Sequence, residues 1–324
     1  MSLRSEIFEQ PTVLAKLLET RRENVQAIAR TIQAQEVKYI FLAARGTSDN
    51  AGLYAKYLYG SLNRLPMALA APSLFSMYHT PPTLTNALVM GISQSGQSPD
   101  IVGVLAEAKR QGALTLAIVN APDSPMAEMA DFVIDISAGP EKAVAATKTY
   151  TAQLMAIAML SAALDENEEQ FAALEQASGL VEQALALDEK IEQAAERYRY
   201  MERCAVLARG YNYATAFEWA LKLKELTYVI AEPYSSADFM HGPIAIANQG
   251  FPILATAPAG VVFNDMLSLL TQLAEDRQAE LVVISNQEEA LTLARTPLRL
   301  PADLPEWISP LVSIVPAQLF CYHL

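Results

Sequence analysis

The fold is decided by two stretches that resemble one another, IFLAARGTSDNAGLYAKYL at residues 40–58 and AVLARGYNYATAFEWALKL at residues 205–223. Each begins with a short apolar run that predicts a buried strand, and each continues through Ala-Arg-Gly into a helical pattern. The two Ala-Arg-Gly triplets begin at Ala44 and Ala208, which are 164 positions apart. That spacing is about one domain length, so it predicts a duplicated α/β domain. A chance similarity between two strand-turn-helix starts is the alternative.

Short apolar runs alternate with helical patterns along both halves of the chain. Runs that predict strands lie at 39–44, 87–92, 114–119, 131–136, 204–210, 251–258 and 279–286. Patterns that predict helices lie at 49–62, 98–112, 145–164, 215–230 and 265–278. Continuous apolar strands that alternate with helices indicate mostly parallel sheets covered on both faces. We therefore predict the α/β class, with two tandem doubly wound parallel-sheet domains of three layers, α/β/α.

Changes in composition along the chain suggest four segments. We predict an N-terminal helical segment at 1–36, a first α/β domain at 37–165 and a second at 199–324. The stretch between them, 166–198, is rich in acidic residues and helix formers, so it predicts a solvated helical linker without a sheet.

Composition and charge exclude several classes of protein. The 324 residues are 52% hydrophobic and carry a net charge of −13, whereas nucleic-acid binding depends on a basic face. A phosphate ligand would have to be bound by local geometry and not by a positive field. The apolar run Leu154–Leu164 has 11 residues, too few to span a membrane, so it predicts a buried helix. The polar start lacks the apolar core of a signal peptide, so a cytoplasmic protein is expected.

The clearest ligand signal is SQSGQSPD at residues 93–100, which directly follows a predicted strand. Ligands of open parallel sheets bind at the carboxyl ends of the strands, where helix N-termini attract anions. Ser93, Ser95 and Ser98 add hydroxyl donors, and Gly96 allows the backbone to approach a ligand closely. We predict a phosphate-binding loop. The alternative is a serine-rich helix cap with Ser98 as N-cap and Pro99 at the first helical position, and the two interpretations can coexist.

The sequence indicates neither a nucleotide-binding loop nor a metal site. Neither a G-x-x-x-x-G-K-[ST] loop nor a G-x-G-x-x-G loop follows these strands, which argues against ATP and NAD. The two cysteines, Cys204 and Cys321, lie far apart in apolar runs and predict neither a disulfide framework nor a metal site. No cofactor and no metal are expected.

Five motifs in the same order resemble the tandem sugar-isomerase (SIS) domain family. They are GTS at 46–48, SQSGQSPD at 93–100, VAATKTYTAQL at 144–154, ALKLKEL at 220–226 and AEPYSSADFMHGP at 231–243. The pattern is similar to the isomerase half of glucosamine-6-phosphate synthases and to stand-alone SIS-type amino-sugar-phosphate deaminases. The resemblance covers nearly the whole chain and implies a sugar-phosphate ligand.

The resemblance also implies roles for individual residues. Those expected to bind the sugar or its phosphate are Thr47, Ser48, Ser93, Gln94, Ser95, Ser98, Val144 and Ala146. Because the family often has serine where this chain has Ala146, any contact there must come from the backbone. Glu225 is the expected base that moves a proton between C1 and C2, and Lys222 is expected on the same helix face. His241 is the expected acid/base for ring opening, and in the family it reaches the site of the partner subunit, which implies a homodimer.

Reasoning from the residues alone points the same way. Aldose–ketose conversion needs a carboxylate above a carbon acid and a group that protonates the ring oxygen. His241 lies in a loop rich in serine and aspartate, which favours a catalytic over a core histidine. His79 is expected in a surface loop, and the role of His323, in the last turn of an apolar helix, is open. Without the motif, Lys222 and Glu225 could equally be an exposed helix pair.

The sequence departs from the synthases in two ways. It has no counterpart of their glutaminase domain, so we expect no release of ammonia from glutamine by this chain. The synthases also carry a Schiff-base lysine in a tail after the last helix, whereas no lysine follows Lys224 here. Either that tail is absent or it lies beyond Leu324.

Three functions follow from these observations. The first is an amino-sugar-phosphate isomerase/deaminase that converts a 2-amino-2-deoxy-hexose 6-phosphate to a ketose 6-phosphate and ammonia. The second is a synthase-like isomerase or aminotransferase without a glutaminase. The third is a non-catalytic sugar-phosphate sensor, although such regulators usually carry a DNA-binding helix-turn-helix, for which the segment before Tyr39 is too short and too acidic.

Overall fold

The computed structural model describes residues 2–324, so Met1, the first residue of the predicted N-terminal segment, lies outside it. The chain divides into two compact units. The β1–β5 unit comprises Thr12–Glu141 and Lys148–Glu175. The β6–β10 unit comprises the residues up to Pro11, Lys142–Thr147 and Gln176–Leu324. The predicted boundaries at 36/37, 165/166 and 198/199 stay a prediction.

Helices and strands alternate through both units. The strands are β1 (Tyr39–Ala43), β2 (Met67–Leu69), β3 (Ala87–Ser93), β4 (Leu114–Val119), β5 (Phe132–Asp135), β6 (Arg203–Ala208), β7 (Ile230–Ser235), β8 (Pro252–Thr256), β9 (Glu280–Ser285) and β10 (Thr296–Arg299). The first helices are α1 (Leu3–Phe8), α2 (Gln10–Gln33), α3 (Thr47–Ser61), α4 (Ser73–Ser76), α5 (Pro99–Arg110), α6 (Pro125–Met129) and α7 (Lys148–Leu164). The later helices are α8 (Glu168–Leu185), α9 (Asp188–Ala195), α10 (Tyr213–Leu226), α11 (Ser236–Met240), α12 (Phe263–Glu275), α13 (Glu288–Thr292) and α14 (Ser309–His323).

The two sheets have the same topology. The first has the strand order β2-β1-β3-β4-β5 and the second has the order β7-β6-β8-β9-β10. All neighbouring strands in both sheets are parallel. In each sheet the chain first crosses to one side of the initial strand and then returns to the other side. This order places a topological switch point between β1 and β3, and again between β6 and β8.

Helices cover both faces of the first sheet. Side chains of successive residues point to opposite faces of a strand. On one face Phe41 packs in a buried cluster with residues of α5 such as Ile101. Leu42 lies on the other face against α3, where a Cβ atom on Gly52 would come within 2.8 Å of the Leu42 side chain. In the second sheet, β6, β8 and β9 pack against α12 in a comparable buried cluster.

An ion pair occurs at the same place in each unit. Arg45 donates to Asp100 across 2.8 Å, and Arg209 donates to Asp265 across 2.7 Å. Both arginines belong to the repeated Ala-Arg-Gly triplets, and each aspartate lies in the first turn of the helix after the third strand of its sheet. Each aspartate also has a serine partner, Ser76 in the first unit and Ser236 in the second. The repeated cluster and the repeated strand order confirm the predicted tandem α/β/α class.

The seven predicted strands are present, and three strands were not predicted. These are β2, β7 and β10, and each lies at an edge of its sheet. Edge strands tolerate proline and need no continuous apolar run, and β7 and β10 each contain one, Pro233 and Pro297. Because β7 was missed, the helix predicted at 215–230 is too long. In the structure α10 ends at Leu226 and β7 begins at Ile230.

The apolar run Leu154–Leu164 forms the C-terminal part of α7, whose residues are buried up to Ala163. This confirms the predicted buried helix. Across residues 2–324, no helix combines the length and the apolar character needed to cross a membrane. Cys204 and Cys321 are both buried free thiols, and burial raises the pKa of the Cys204 thiol to about 12.

Candidate functional site

The predicted phosphate-binding loop connects β3 to α5 at the switch point of the first sheet. Ser93 ends β3, and its Oγ atom accepts a hydrogen bond from the backbone N–H of Gly96 across 3.0 Å. The Oγ atom of Ser95 accepts from the backbone N–H of Gln97 across 3.3 Å. These bonds hold the loop in a tight turn, while Ser95 itself remains exposed.

Gly96 is required by the geometry of the loop. Its φ is +63°, a conformation that favours glycine. A Cβ atom at this position would lie 2.0 Å from the Oγ atom of Ser124. Ser124 is buried and caps α6, and the carbonyl oxygen of Gly96 accepts from the N–H of Met126 across 3.1 Å. The loop therefore packs directly on the start of α6.

Ser98 is the N-cap residue of α5 and Pro99 occupies the first helical position. In the described structure the Ser98 side chain makes no capping hydrogen bond. An ordinary N-cap serine would accept from an N–H in the first turn. Its hydroxyl is thus not used by the helix, which favours the phosphate-loop interpretation over a purely structural cap.

Thr47 and Ser48 begin α3, directly after β1, which pairs with β3. Gly46 precedes them with φ of +55°. Because β1 and β3 are parallel, their carboxyl ends lie at the same edge of the sheet. Thr47 and Ser48 therefore lie at the same edge as the 93–98 loop. Ser48 is buried, and its Oγ atom accepts from Nε2 of Gln153 on α7 across 3.0 Å. The arrangement positions Ser48 rigidly at the crevice.

Gln94 has a partner that the sequence analysis missed. Its Nε2 atom donates to Oε2 of Glu141 across 3.1 Å. The same carboxylate accepts from the hydroxyl and from the backbone N–H of Thr149 at the start of α7. Glu141 thus connects the phosphate-binding loop to the VAATKT motif. Its position just before that motif was the available signal.

Val144 and Ala146 belong to the β6–β10 unit, because the segment Lys142–Thr147 does. The carboxylate of Glu6, which is fully buried, accepts from the backbone N–H of Lys142 across 2.6 Å and from that of Ala143 across 3.2 Å. The Val144 side chain is 94% exposed. Glu6 therefore fixes the backbone of this segment and leaves Val144 free of packing within the unit.

Lys222 and Glu225 lie on α10 in the β6–β10 unit. The Nζ atom of Lys222 donates to Oε2 of Glu225 across 2.6 Å and lies 3.3 Å from Oε1 of Glu218. The side chains of Lys222 and Glu218 are 1% and 0% exposed, whereas that of Glu225 is 32% exposed. The pair is not the exposed helix pair that the sequence left open. Glu218 is a further site residue that the sequence analysis missed.

The two carboxylates determine the charge of Lys222. Burial by itself lowers the pKa of Lys222, but Glu218 and Glu225 outweigh that effect and hold the pKa above its ordinary value. Lys222 is therefore an ammonium group that donates to Glu225 from the buried side. The outer part of the Glu225 carboxylate remains accessible and can accept a proton from a carbon acid.

His241 ends the short helix α11, which follows β7. It is exposed, its backbone N–H donates to the carbonyl oxygen of Asp238 across 3.1 Å, and Gly242 follows with φ of +130°. A cavity of about 240 Å³ lies beside it, lined by Arg209, Ser236 and Asp265 among others. The structure therefore presents His241 at a surface, as a catalytic histidine requires.

The other two histidines have different surroundings. His79 is exposed, as predicted for a surface loop. His323 lies in the last turn of α14, and its Nε2 atom is 2.7 Å from Oδ1 of Asp188. Asp188 also accepts from Arg4 across 2.6 Å. His323 thus belongs to a structural ion-pair cluster of α1, α9 and α14. Within residues 2–324, no group of His, Cys, Asp and Glu side chains could hold a metal ion.

The fold and these loops define a class, the tandem doubly wound α/β proteins with a serine-rich loop at the first switch point. The SIS domain model matches residues 34–163 and 199–324. The chain belongs to the SIS domain family.

The relatives found by sequence are larger enzymes, and this chain matches about half of each. The chain is 36% identical over 328 residues to a glutamine–fructose-6-phosphate aminotransferase of Thermococcus kodakarensis, with 98% of this chain and 54% of that protein covered. It is 34% identical to the corresponding protein of Thermus thermophilus, with 98% and 55% covered. The chain thus spans about half the length of the curated relatives it matches, and it is homologous to their isomerase half.

Solved structures give the same result. A candidate phosphosugar isomerase from Silicibacter pomeroyi is 33% identical with a TM-score of 0.89, covering 99% of this chain and 96% of that one. The C-terminal domain of glucosamine-fructose-6-phosphate aminotransferase from Francisella tularensis is 28% identical, also with a TM-score of 0.89, covering 99% and 94%.

Proposed function

We propose that the protein is a phosphosugar isomerase that converts a 2-amino-2-deoxy-hexose 6-phosphate to a ketose 6-phosphate and ammonia. The observation that carries this proposal is the contact of 2.6 Å between Lys222 and Glu225. A buried ammonium beside a partly exposed carboxylate is suited to move a proton between two carbon atoms. Similarity to the candidate phosphosugar isomerase of Silicibacter pomeroyi supports the class of reaction.

The phosphate of the substrate binds at the 93–98 loop. Ser95 and Ser98 donate from their hydroxyls, the N-terminus of α5 favours the anion, and Gln94 is oriented by Glu141. Thr47 and Ser48 contact the same ligand from the neighbouring turn. Backbone groups of Val144 and Ala146 line the sugar. This local geometry allows a chain with a net charge of −13 to bind a phosphate.

Proton transfer then follows once the ring is open. Glu225 removes the proton from C2 of the open-chain aldose, which leaves an enaminolate, and Lys222 holds the Glu225 carboxylate in position from its buried side. The proton returns to C1, the C1 oxygen gains a proton and the C2 nitrogen loses one, which leaves a C1 hydroxymethyl group and an imine at C2. Water adds to that imine and ammonia leaves, so the product is the 2-ketose 6-phosphate. No oxidant or reductant is consumed.

His241 opens the sugar ring by protonating the ring oxygen and accepting a proton from the C1 hydroxyl. Its exposed position at the end of α11 supports a role in the site of a second subunit. The functional protein is accordingly a homodimer in which each subunit donates His241 to its partner.

The direct test combines two measurements on the purified protein with glucosamine 6-phosphate. Ammonia and fructose 6-phosphate should appear in equal amounts. In D₂O, deuterium should enter C1 of the ketose and also C2 of the recovered glucosamine 6-phosphate. The exchange at C2 detects proton transfer even when ammonia release is slow. A panel of 2-amino-sugar phosphates that gives neither product nor deuterium exchange would contradict the proposal.

A second candidate is the reverse direction, in which fructose 6-phosphate and ammonia give glucosamine 6-phosphate. The identity of 36% to a glutamine–fructose-6-phosphate aminotransferase favours it. Two results together would identify this activity. One is formation of glucosamine 6-phosphate from fructose 6-phosphate and ammonium salts, and the other is an imine of fructose 6-phosphate with the protein that borohydride can trap. Tight sugar-phosphate binding without any exchange would instead identify a sensor.

A further inference from the structure

The second sheet contains a counterpart of the phosphate-binding loop. The repeated Ala-Arg-Gly triplets align β1 with β6, so Ala43 corresponds to Leu207. Ala43 pairs with Gly91 on β3, and Leu207 pairs with Ala255 on β8. Counting onward from these partners, residues 93–98 correspond to residues 257–262. The loop Ser-Gln-Ser-Gly-Gln-Ser of the first unit is Ala-Pro-Ala-Gly-Val-Val in the second.

The counterpart has kept the glycine and lost every polar side chain. Gly96 and Gly260 occupy the same position, and both have a positive φ, +63° and +154°. Within residues 257–262, the N–H groups of Ala257 and Ala259 already donate to Ile284 and Asn286, and Pro258 has none. The donors left are the N–H groups of residues 260–262 and the N-terminus of α12, a helix of 13 residues. Such groups still favour an anion.

A carboxylate of the same chain occupies this loop. The backbone N–H of Val261 donates to Oε2 of Glu306 across 2.9 Å. A Cβ atom on Gly260 would lie 2.1 Å from Cδ of Glu306, so the carboxyl group is packed against the glycine backbone. Glu306 begins the short 3₁₀ helix before α14 and is only half-buried. The glycine is thus needed because the carboxylate approaches so closely.

We propose that the 257–262 loop is a second anion-binding loop of the chain and that Glu306 fills it from within. The Glu306 side chain accepts from the loop and fills the space that an external phosphate would take, so the second unit excludes sugar phosphates. Each chain then binds one sugar phosphate, at the 93–98 loop. Only that last statement rests on the proposed function, because the occupation of the second loop by Glu306 does not depend on it.

The test is the number of phosphate ions bound per chain by Glu306→Ala compared with the unchanged protein. Equilibrium dialysis with radiolabelled inorganic phosphate at millimolar concentrations should give one more ion per chain in the variant. Phosphate should also shift the backbone amide resonances of residues 259–263 in the variant and not in the unchanged protein. An equal number of ions in both proteins would overturn the inference.

Two further variants separate occupation from other effects. Glu306→Gln should bind no additional ion, since its amide oxygen still accepts from Val261 and fills the same space; an additional ion there would overturn the role of that contact. Asp303→Ala removes a neighbouring exposed carboxylate and should also bind no additional ion. Glu306→Ser can replace Glu306→Ala if the alanine variant does not fold. If the unchanged protein binds no phosphate, the proposed function fails, while the difference between the proteins still decides this inference.

Discussion

The Nζ atom of Lys222 lies 2.6 Å from Oε2 of Glu225, less than one helical turn further along α10. Lys222 is buried and Glu225 is partly exposed, so the pair has a buried side and an accessible side. The buried side is completed by Glu218, which keeps Lys222 charged. One side of the Glu225 carboxylate is therefore open to solvent, while Lys222 fixes its orientation from the buried side.

Removal of the carboxylate charge at Glu225 should stop turnover without preventing binding. We expect Glu225→Gln to lower kcat by about 10²–10⁴-fold, the usual contribution of a general base. The affinity for a sugar phosphate should stay close to that of the unchanged protein, because Glu225 is not among the residues proposed to bind the phosphate. Deuterium exchange and equilibrium dialysis measure the two properties. The matched control is Glu232→Gln, an exposed carboxylate on β7; similar losses in both variants would contradict the assignment.

Glu218 should control the charge of Lys222. Because Lys222 has a higher pKa in the folded chain than in the unfolded one, its ion pairs stabilise the fold fully below the ordinary lysine pKa of about 10.4. That stabilisation is lost as the pH rises through the folded pKa. Glu218→Gln lowers the folded pKa, so the loss should be smaller and should be complete at a lower pH. We also expect the free energy of unfolding at pH 7 to fall by about 3 kcal/mol, because a buried ion pair loses one partner.

Denaturant unfolding of Glu218→Gln between pH 7 and 11 checks this prediction. Other groups titrate in the same range, so the relevant quantity is the difference from the unchanged protein. Lys222→Met combined with Glu218→Gln should remove that difference, since no buried ammonium is left. An identical pH dependence in Glu218→Gln and the unchanged protein would refute the role of Glu218.

Ser98 should matter for ligand binding and not for stability. We expect Ser98→Ala to weaken sugar-phosphate binding and to change the free energy of unfolding by only a few tenths of a kcal/mol, because its side chain does not cap α5. The matched control is Ser124→Ala, whose side chain does cap α6 and whose loss should cost about 1 kcal/mol. Calorimetric binding and denaturant unfolding test both variants. A stability loss at Ser98 as large as that at Ser124 would favour the cap interpretation.

The proposed donation of His241 to a partner subunit can be tested with mixed dimers. Glu225→Gln and His241→Asn should each be inactive alone. Mixed and reassociated at random, half of the dimers should be heterodimers, and each heterodimer has one site with both an intact Glu225 and an intact His241. A quarter of all sites should therefore be active. The recovered rate approaches about a quarter of that of the unchanged protein. Absence of recovery, although mass spectrometry detects heterodimers, would place His241 in its own subunit's site.

Much of the fold could be predicted because its signals are local. The apolar runs of β1, β3, β4, β6, β8 and β9 are buried on both faces of central strands, which leaves a continuous apolar pattern in the sequence. The edge strands β2, β7 and β10 leave no such pattern. The serine-rich loop at 93–98 could be predicted as an anion site for the same local reason, since strand, glycine and helix start are adjacent in sequence.

Other features depended on contacts between distant residues. Nothing around Gly96 indicates that Ser124 lies against it, and nothing around Gln94 indicates Glu141 as its partner. The sequence by itself determined the duplicated α/β architecture, the serine-rich loop between β3 and α5 and the pairing of Lys222 with Glu225, because these are set by spacing within one strand-turn-helix unit. Only the tertiary structure decided that Lys222 is buried against Glu218 and that Glu306 occupies the second loop. Burial and long-range pairing depend on how separate elements pack, and no local pattern records that packing.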